Sequence, residues 1–122
     1  MATIYPLMIG GTSYDLVLIS EGNFSSEYLA RTSSNEVRMK IRHTKEKAVK
    51  GAVPLDRHNV ELSVTTFPTT GNVNGSFDQA YVVIRSNPAS DGASSVDIST
   101  ALASVVSDNA NEIVGWQSAL GS

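Results

Sequence analysis

Apolar and polar residues alternate with a period of two through residues 36–44 and 56–66. Successive side chains of a strand point to opposite sides, so this pattern predicts two long strands, each with one apolar and one polar face. Residues 78–86 alternate in the same way and predict a third strand. The segment between the first two contains Gly51 and Pro54 and predicts a loop.

The N-terminal part of the chain also predicts strands. Residues 3–9 and 13–20 are rich in apolar side chains, and Gly10-Gly11 between them is typical of a hairpin turn. A short strand is expected at residues 26–31, before a polar break at residues 32–35.

The spacing of the apolar residues changes after residue 94. It becomes the stripe of an amphipathic helix, made by Ile98, Ala101, Leu102, Val105 and Val106. Ser94 or Ser95 is expected to cap this helix, and Asp97 to lie in its first turn, where the helix dipole favours negative charge. Residues 107–109 are expected to interrupt it, with Asp108 capping a second helix.

Strands followed by helices predict the α+β class. The expected architecture is an N-terminal β-hairpin, an antiparallel β-sheet of about five strands, and two C-terminal α-helices over the apolar face of the sheet. At 122 residues the chain is expected to form one domain. Within residues 1–122, the hairpin would occupy 1–25, the sheet 26–86 and the helices 94–120.

Charge is distributed unevenly along the chain. The formal net charge is −3, yet all nine Lys and Arg residues lie between Arg31 and Arg85, where five acidic residues leave a balance of +4. The segments before and after hold three and four acidic residues and no base. The chain has no cysteine, which excludes a disulfide framework and a cysteine nucleophile. The chain contains no run of 18 apolar residues, so no membrane span is predicted.

The basic residues of the three clear strands share the polar face with other polar side chains and one tyrosine. This predicted face consists of Arg38, Lys40, Arg42, Thr44, Arg57, Asn59, Glu61, Ser63, Gln79, Tyr81 and Arg85. Arg and Lys neutralise phosphates, and an exposed Tyr stacks on an unpaired base, so the face is a candidate surface for single-stranded RNA. The alternative is a polar surface that only keeps the protein in solution.

Two histidines fall on the apolar side of their strands. If those strands pair as a hairpin centred near residues 50 and 51, His43 lies opposite His58. With Asp56 they could hold a metal, and with a serine they could imitate a catalytic triad. The alternative is a pair of hydrogen-bonded histidines at the rim of the sheet. No sequence motif of a hydrolase, a phosphate-binding loop or a zinc protease is present, so no enzyme is predicted.

Two short helices are expected to leave part of the sheet and one of its edges uncovered. An exposed edge invites pairing with another copy of the chain. A homodimer that continues the sheet and exchanges helix contacts would cover both surfaces.

Four segments carry a resemblance to a known family. They are VRMKIRHTKE at residues 37–46, DRHNVEL at 56–62, QAYVVIR at 79–85 and VGW at 114–116. In these segments the chain resembles the coat proteins of single-stranded RNA bacteriophages, the levivirus group, and within it the branch that infects Caulobacter.

The resemblance implies a fold and a function. It implies an intertwined homodimer with one continuous sheet, an icosahedral virion capsid, and a basic sheet face turned inward to package single-stranded viral RNA. It also implies a second role, binding of an RNA hairpin that represses translation, and residence in the host bacterial cytoplasm before release. The residues that match RNA-facing positions of the family are Arg38, Lys40, Arg42, Arg57, Asn59, Glu61, Ser63 and Tyr81.

Three further hypotheses remain open from the sequence. One is a sheet module that binds single-stranded RNA without forming a shell, and another is a small metal-dependent enzyme using the two histidines. No cofactor is expected, although structural calcium between subunits is a hypothesis, with Asp15, Glu21, Asp91 and Asp108 as its candidate ligands.

Overall fold

The computed structural model describes residues 3–47, 50–89 and 92–116. Six strands precede one helix in these residues: β1 (Ile4–Ile9), β2 (Thr12–Gly22), β3 (Ser25–Arg31), β4 (Asn35–Lys45), β5 (Asp56–Thr66), β6 (Ser76–Ser86) and α1 (Ala93–Val114). The α+β class is confirmed. The strands form one antiparallel sheet in the order of the sequence, from β1 at one edge to β6 at the other.

The N-terminal hairpin is part of the sheet and not a separate unit, which corrects the expected strand count. β2 pairs along β3, and the register shifts between Leu18 and Ser20. Such a bulge bends and twists a strand. β2 accordingly approaches β4, its second neighbour, so the sheet curls at this end.

The core lies inside this curl. Leu16 on β2, Tyr28 on β3, and Val37 and Met39 on β4 are its buried apolar residues. The half-buried side chains packed around them come from β1 to β5: Leu7, Ile9, Tyr14, Leu18, Ala30, Ile41, Leu62 and Val64. The hairpin therefore covers the part of the apolar face that the helices were expected to cover.

The described C-terminal segment is one helix, α1, where two were expected, but the predicted interruption is present inside it. Asn109 leaves helical geometry (φ −128°, ψ 19°) inside α1, at the position where a break was expected. Its side-chain Nδ2 donates to the Val105 carbonyl at 2.9 Å. An Asn amide that bonds the preceding turn competes with the backbone ladder, and the helix still resumes beyond it.

The predicted cap and first-turn acid at the start of the helix are wrong, whereas a cap by Asp108 stays a prediction. The N-cap is Gly92 (φ 81°), without a side-chain cap, and the first turn contains no acidic residue because α1 begins two residues before Ser95. At the other end, the Gly115 N–H donates to the Asn111 carbonyl at 2.8 Å. The last expected helical residues, 117–120, lie outside the described residues.

α1 does not cover the sheet of its own chain. It contacts β6 alone, and none of its described residues is buried. The reason is topological: α1 leaves the edge strand farthest from the core, and the curled hairpin already occupies the other end of the apolar face. No described helix is long and apolar enough to cross a membrane.

Candidate nucleic-acid interface

The pairing of β4, β5 and β6 decides which side chains share the polar face. His43 lies directly opposite His58, as predicted, and this register continues along both strands. The directly paired residues on the polar face form four rows, namely Thr44–Arg57–Arg85, Arg42–Asn59–Val83, Lys40–Glu61–Tyr81 and Arg38–Ser63–Gln79. The register therefore places all eleven predicted site residues on one face, as expected.

One corner of this face is neutralised by acidic side chains. Arg38 Nη1 donates to Glu27 Oε2 at 2.5 Å, and Lys40 Nζ lies 3.7 Å from Glu27 Oε1. The Glu36 carboxylate forms ion pairs with Arg31 at 2.6 Å and with Arg38 at 3.5 Å. The hydrogen bond from Arg31 is the main reason that the pKa of Glu36 lies below its ordinary value.

Sequence reasoning missed Glu27 because β3 was not included in the face. The register places Glu27 directly opposite Lys40, so that its carboxylate joins the polar face. The alternation within residues 26–31 could have revealed this. Pairing this strand with the next one puts Glu27 on the side of the arginines.

A second neutralised position lies at the far end of the sheet. Glu46, just after β4, accepts two hydrogen bonds from Arg85, each 2.7 Å long. This bidentate contact lowers the pKa of Glu46 and raises the pKa of Arg85. Arg85 is therefore less available for phosphate than its place on the face suggested.

Arg42 and Arg57 remain on the face without ion pairs among the described residues. Both are exposed, and they lie in adjacent rows. Arg57 Nε donates to Asn59 Oδ1 at 3.1 Å, and Asn59 lies directly opposite Arg42. These two guanidinium groups are the cations that the fold leaves open to an anionic ligand.

An exposed aromatic ring lies on the same face as these two arginines. Tyr81 is 67% exposed on the edge strand β6, directly opposite Glu61. The Glu61 carboxylate accepts a hydrogen bond of 2.6 Å from Gln79 Nε2. The Tyr81 ring is thus flanked by an oriented amide and carboxylate, which can contact the edge of a base stacked on the ring.

The two histidines lie on the opposite, apolar face. Their Nδ1 atoms are 2.8 Å apart, and His58 Nε2 lies 3.1 Å from Ser86 Oγ. The hydrogen-bonded alternative is therefore present. In the described part of the chain, His, Asp and Glu side chains form no group of three or more that could hold a metal.

The calcium candidates are dispersed within one chain. Asp15 and Glu21 lie on β2 and Asp108 on α1, whereas Asp91 lies outside the described residues. A site between subunits stays a prediction. Particles that keep their integrity in a chelator would contradict it.

A family model described as the coat protein of phage phiCb5 matches residues 3–87, which include all six strands and end before α1. No curated protein matches the chain.

Proposed function

We propose how this chain works in a virion capsid, since it belongs to the phage phiCb5 coat protein family. That family is structural and is not an enzyme family. In this proposal the chain forms a homodimer in the host bacterial cytoplasm. Dimers assemble into an icosahedral shell, and the polar face of β4–β6 packages single-stranded RNA.

A dimer would cover two surfaces that a single chain leaves exposed, the edge of β6 and the apolar side of α1. β6 is an edge strand of eleven residues, paired only with β5, and an edge of that length is a template for another strand. On its apolar side Val82 is 40% exposed. Pairing of β6 with β6 of a second copy would extend the sheet across a two-fold axis.

The exposed apolar residues of α1 support the same arrangement. They are Val96, Ile98, Leu102, Val105, Val106, Ile113 and Val114, with Trp116 just beyond the helix. An apolar surface of this extent on a 22-residue helix marks an interaction surface. In the dimer, each α1 lies over the apolar face of its partner's β5 and β6.

Assembly is tested on recombinant full-length protein by electron microscopy and analytical ultracentrifugation. Uniform spherical particles are expected, and dimers after mild dissociation. A chain that binds RNA yet sediments only as a monomer or free dimer under all assembly conditions would favour the module that forms no shell.

RNA packaging rests on one observation: the exposed guanidinium groups of Arg42 and Arg57 form no ion pair among the described residues, although the Glu46 carboxylate attracts Arg57 electrostatically. Each phosphate contact made by such groups contributes to affinity through counterion release. Both groups lie on the same face as Tyr81, so backbone and base contacts could be made together.

The double variant Arg42→Glu, Arg57→Glu tests this assignment. Its matched control is Lys47→Glu, Lys50→Glu, which makes the same change of net charge at exposed positions outside the sheet. We expect RNA per protein, from absorbance and extraction, to fall severalfold in the first variant and far less in the control. Equal loss in both would show that only net charge matters, and normal RNA content in the first would refute the assignment.

Hairpin binding is the finer part of the proposal, and the exposed ring of Tyr81 is the observation that favours it. Base stacking on an aromatic side chain contributes about 1–3 kcal/mol. Tyr81→Ala should weaken binding of the dimer to an RNA hairpin by about 5- to 150-fold, whereas Tyr81→Phe keeps the ring and should bind nearly normally. Equal binding by all three proteins would exclude stacking at this position.

A further inference from the structure

A small polar pocket of about 150 Å³ lies where β2, β3 and β4 adjoin on the polar face. Strand pairing arranges its residues in two neighbouring rows. In one row Ser25 is directly opposite Arg42, and in the other Ser20 and Lys40 are both directly opposite Glu27. The pocket therefore extends the face of β4–β6 onto two strands that hold none of the eleven predicted site residues. Its lining residues are Ser20, Ser25, Ser26, Glu27, Lys40 and Arg42.

The row of Ser25 and Arg42 offers hydrogen-bond donors to an anion. The Arg42 guanidinium is exposed and forms no ion pair among the described residues. Ser25 is half-buried, and its hydroxyl can rotate to donate. Directly opposed side chains on one face of a sheet have Cβ atoms about 5 Å apart. The two groups can therefore contact the same phosphodiester, and the guanidinium supplies the charge-assisted bond.

The neighbouring row contains a carboxylate, which by itself repels a polyanion. Glu27 Oε2 accepts the hydrogen bond from Arg38, whereas Lys40 Nζ lies 3.7 Å from Oε1, too far for a hydrogen bond. The two cations weaken the repulsion of a nearby phosphate, and Oε1 retains the capacity to accept a hydrogen bond. In RNA, the backbone donor beside each phosphate is the 2′-hydroxyl of the ribose, which DNA lacks.

From this arrangement we propose that the pocket binds one ribonucleotide of a single strand and distinguishes RNA from DNA. The phosphodiester contacts Arg42 and Ser25, and the 2′-hydroxyl donates to Glu27. The two rows are about 7 Å apart along the strands, so the ribose lies between them. None of the lining residues is aromatic, which favours the sugar and phosphate over a stacked base. The proposal rests on RNA binding by the polar face and adds selectivity for ribose.

The test compares binding of recombinant full-length protein to short oligouridylate and oligodeoxyuridylate of equal length, which differ only in the 2′-hydroxyl. At equal salt concentration the wild type should bind the RNA about tenfold more tightly, the effect expected of one hydrogen bond to a charged group. Glu27→Ala should abolish most of this preference, because RNA loses its acceptor while DNA binds more tightly once the negative charge is removed. Wild-type protein that binds both oligomers equally, or Glu27→Ala protein that keeps the full preference, would overturn the proposal.

Glu36→Ala is the matched control for charge. It removes the other carboxylate that pairs with Arg38 and leaves the pocket intact, so RNA and DNA should both bind more tightly with an unchanged ratio. If Glu36→Ala also abolishes the preference, the ratio reports charge and not the pocket, and the proposal fails.

Ser25→Ala tests the phosphate contact without changing any charge. It should weaken binding of RNA and DNA alike by about fivefold and preserve their ratio, whereas Ser13→Ala, at an exposed position of β2 outside the pocket, should change neither. Normal binding by Ser25→Ala would refute the phosphate contact. The result for the wild type separates this proposal from the broader one: RNA binding without preference for ribose refutes the pocket alone, and absence of binding to either oligomer refutes both.

Discussion

The two halves of the chain, β1 to β4 and β5 to α1, differ in how much of their apolar surface is buried within the chain. All buried residues of the described chain lie on β2, β3 and β4, whereas β6 and α1 contribute none. The first half curls around its own core. The second half presents an edge strand and a helix whose apolar side chains remain in contact with solvent. This difference suggests that one half is stabilised within the chain and the other by assembly.

The largest effect is expected in the core. Leu16 is fully buried, so Leu16→Ala should lower the free energy of unfolding by about 2–5 kcal/mol through lost burial and a residual cavity. Leu102 on α1 is 47% exposed and makes the matched control. Urea unfolding of dissociated protein, followed by circular dichroism, measures both. Equal losses for Leu16→Ala and Leu102→Ala in monomeric protein would contradict the division into two halves.

A charge placed in the apolar stripe of α1 should weaken the association of two chains into a dimer. Val106→Asp places a carboxylate in the apolar stripe that is proposed to contact the partner, and should raise the dimer dissociation constant about a hundredfold, equivalent to about 3 kcal/mol. Ser107→Asp introduces the same charge at a neighbouring exposed position and is the control. Sedimentation over a range of concentrations gives both constants. If Val106→Asp dimers are as tight as wild type, α1 does not cover the partner.

The sequence predicted the strands and the register between β4 and β5, but not the curl of the sheet. Alternation located β4, β5 and β6 within two residues at each end, and the equal spacing from the loop put His43 opposite His58. Both predictions needed only local periodicity. The curl of the sheet was not predictable in this way, because it depends on the bulge between Leu18 and Ser20, which alternation does not reveal.

The candidate site was predicted by position but not by charge. All eleven residues share a face, yet Arg38 and Arg85 are held by Glu27 and Glu46. These carboxylates come from a neighbouring strand and from a loop, so they enter the face only through pairing and loop placement. The prediction that the helices cover the sheet of their own chain was wrong for a similar reason. The stripe on α1 shows that one side of the helix is apolar, but not which chain that side packs against.

The turn between β5 and β6 refines the comparison, because it is fixed although the surrounding half is open. Gly75 has φ +64°, and a Cβ there would collide with the Thr66 carbonyl oxygen. Gly75→Ala should therefore cost about 1–3 kcal/mol of unfolding free energy. Gly71, in the same turn, faces open space where a methyl group would lie, so Gly71→Ala should be nearly neutral. Similar thermal midpoints for the two variants would show that the turn adjusts freely.

The smallest effects should come from two surface carboxylates that differ in what they join. Glu36 binds Arg31 and Arg38 within the first half, while Glu46 binds Arg85 and so connects the end of β4 to β6. The pKa of each is lowered by these partners. A carboxyl with a lowered folded-state pKa stabilises fully above its unfolded value and loses that contribution as the pH falls through the folded value. Both contributions should therefore be present at pH 6 and begin to decline as the pH falls below about 4.5.

Thermal unfolding from pH 6 to pH 3 at low salt separates the two carboxylates. Glu36→Gln and Glu46→Gln should each lower the midpoint slightly at pH 6 and flatten its fall on acidification, with less effect at high salt because exposed pairs are screened. Only Glu46→Gln should also increase hydrogen exchange in β6, since Glu46 holds that strand through Arg85. If Glu36→Gln loosens β6 equally, the two halves do not behave as separate units and the contrast between them fails.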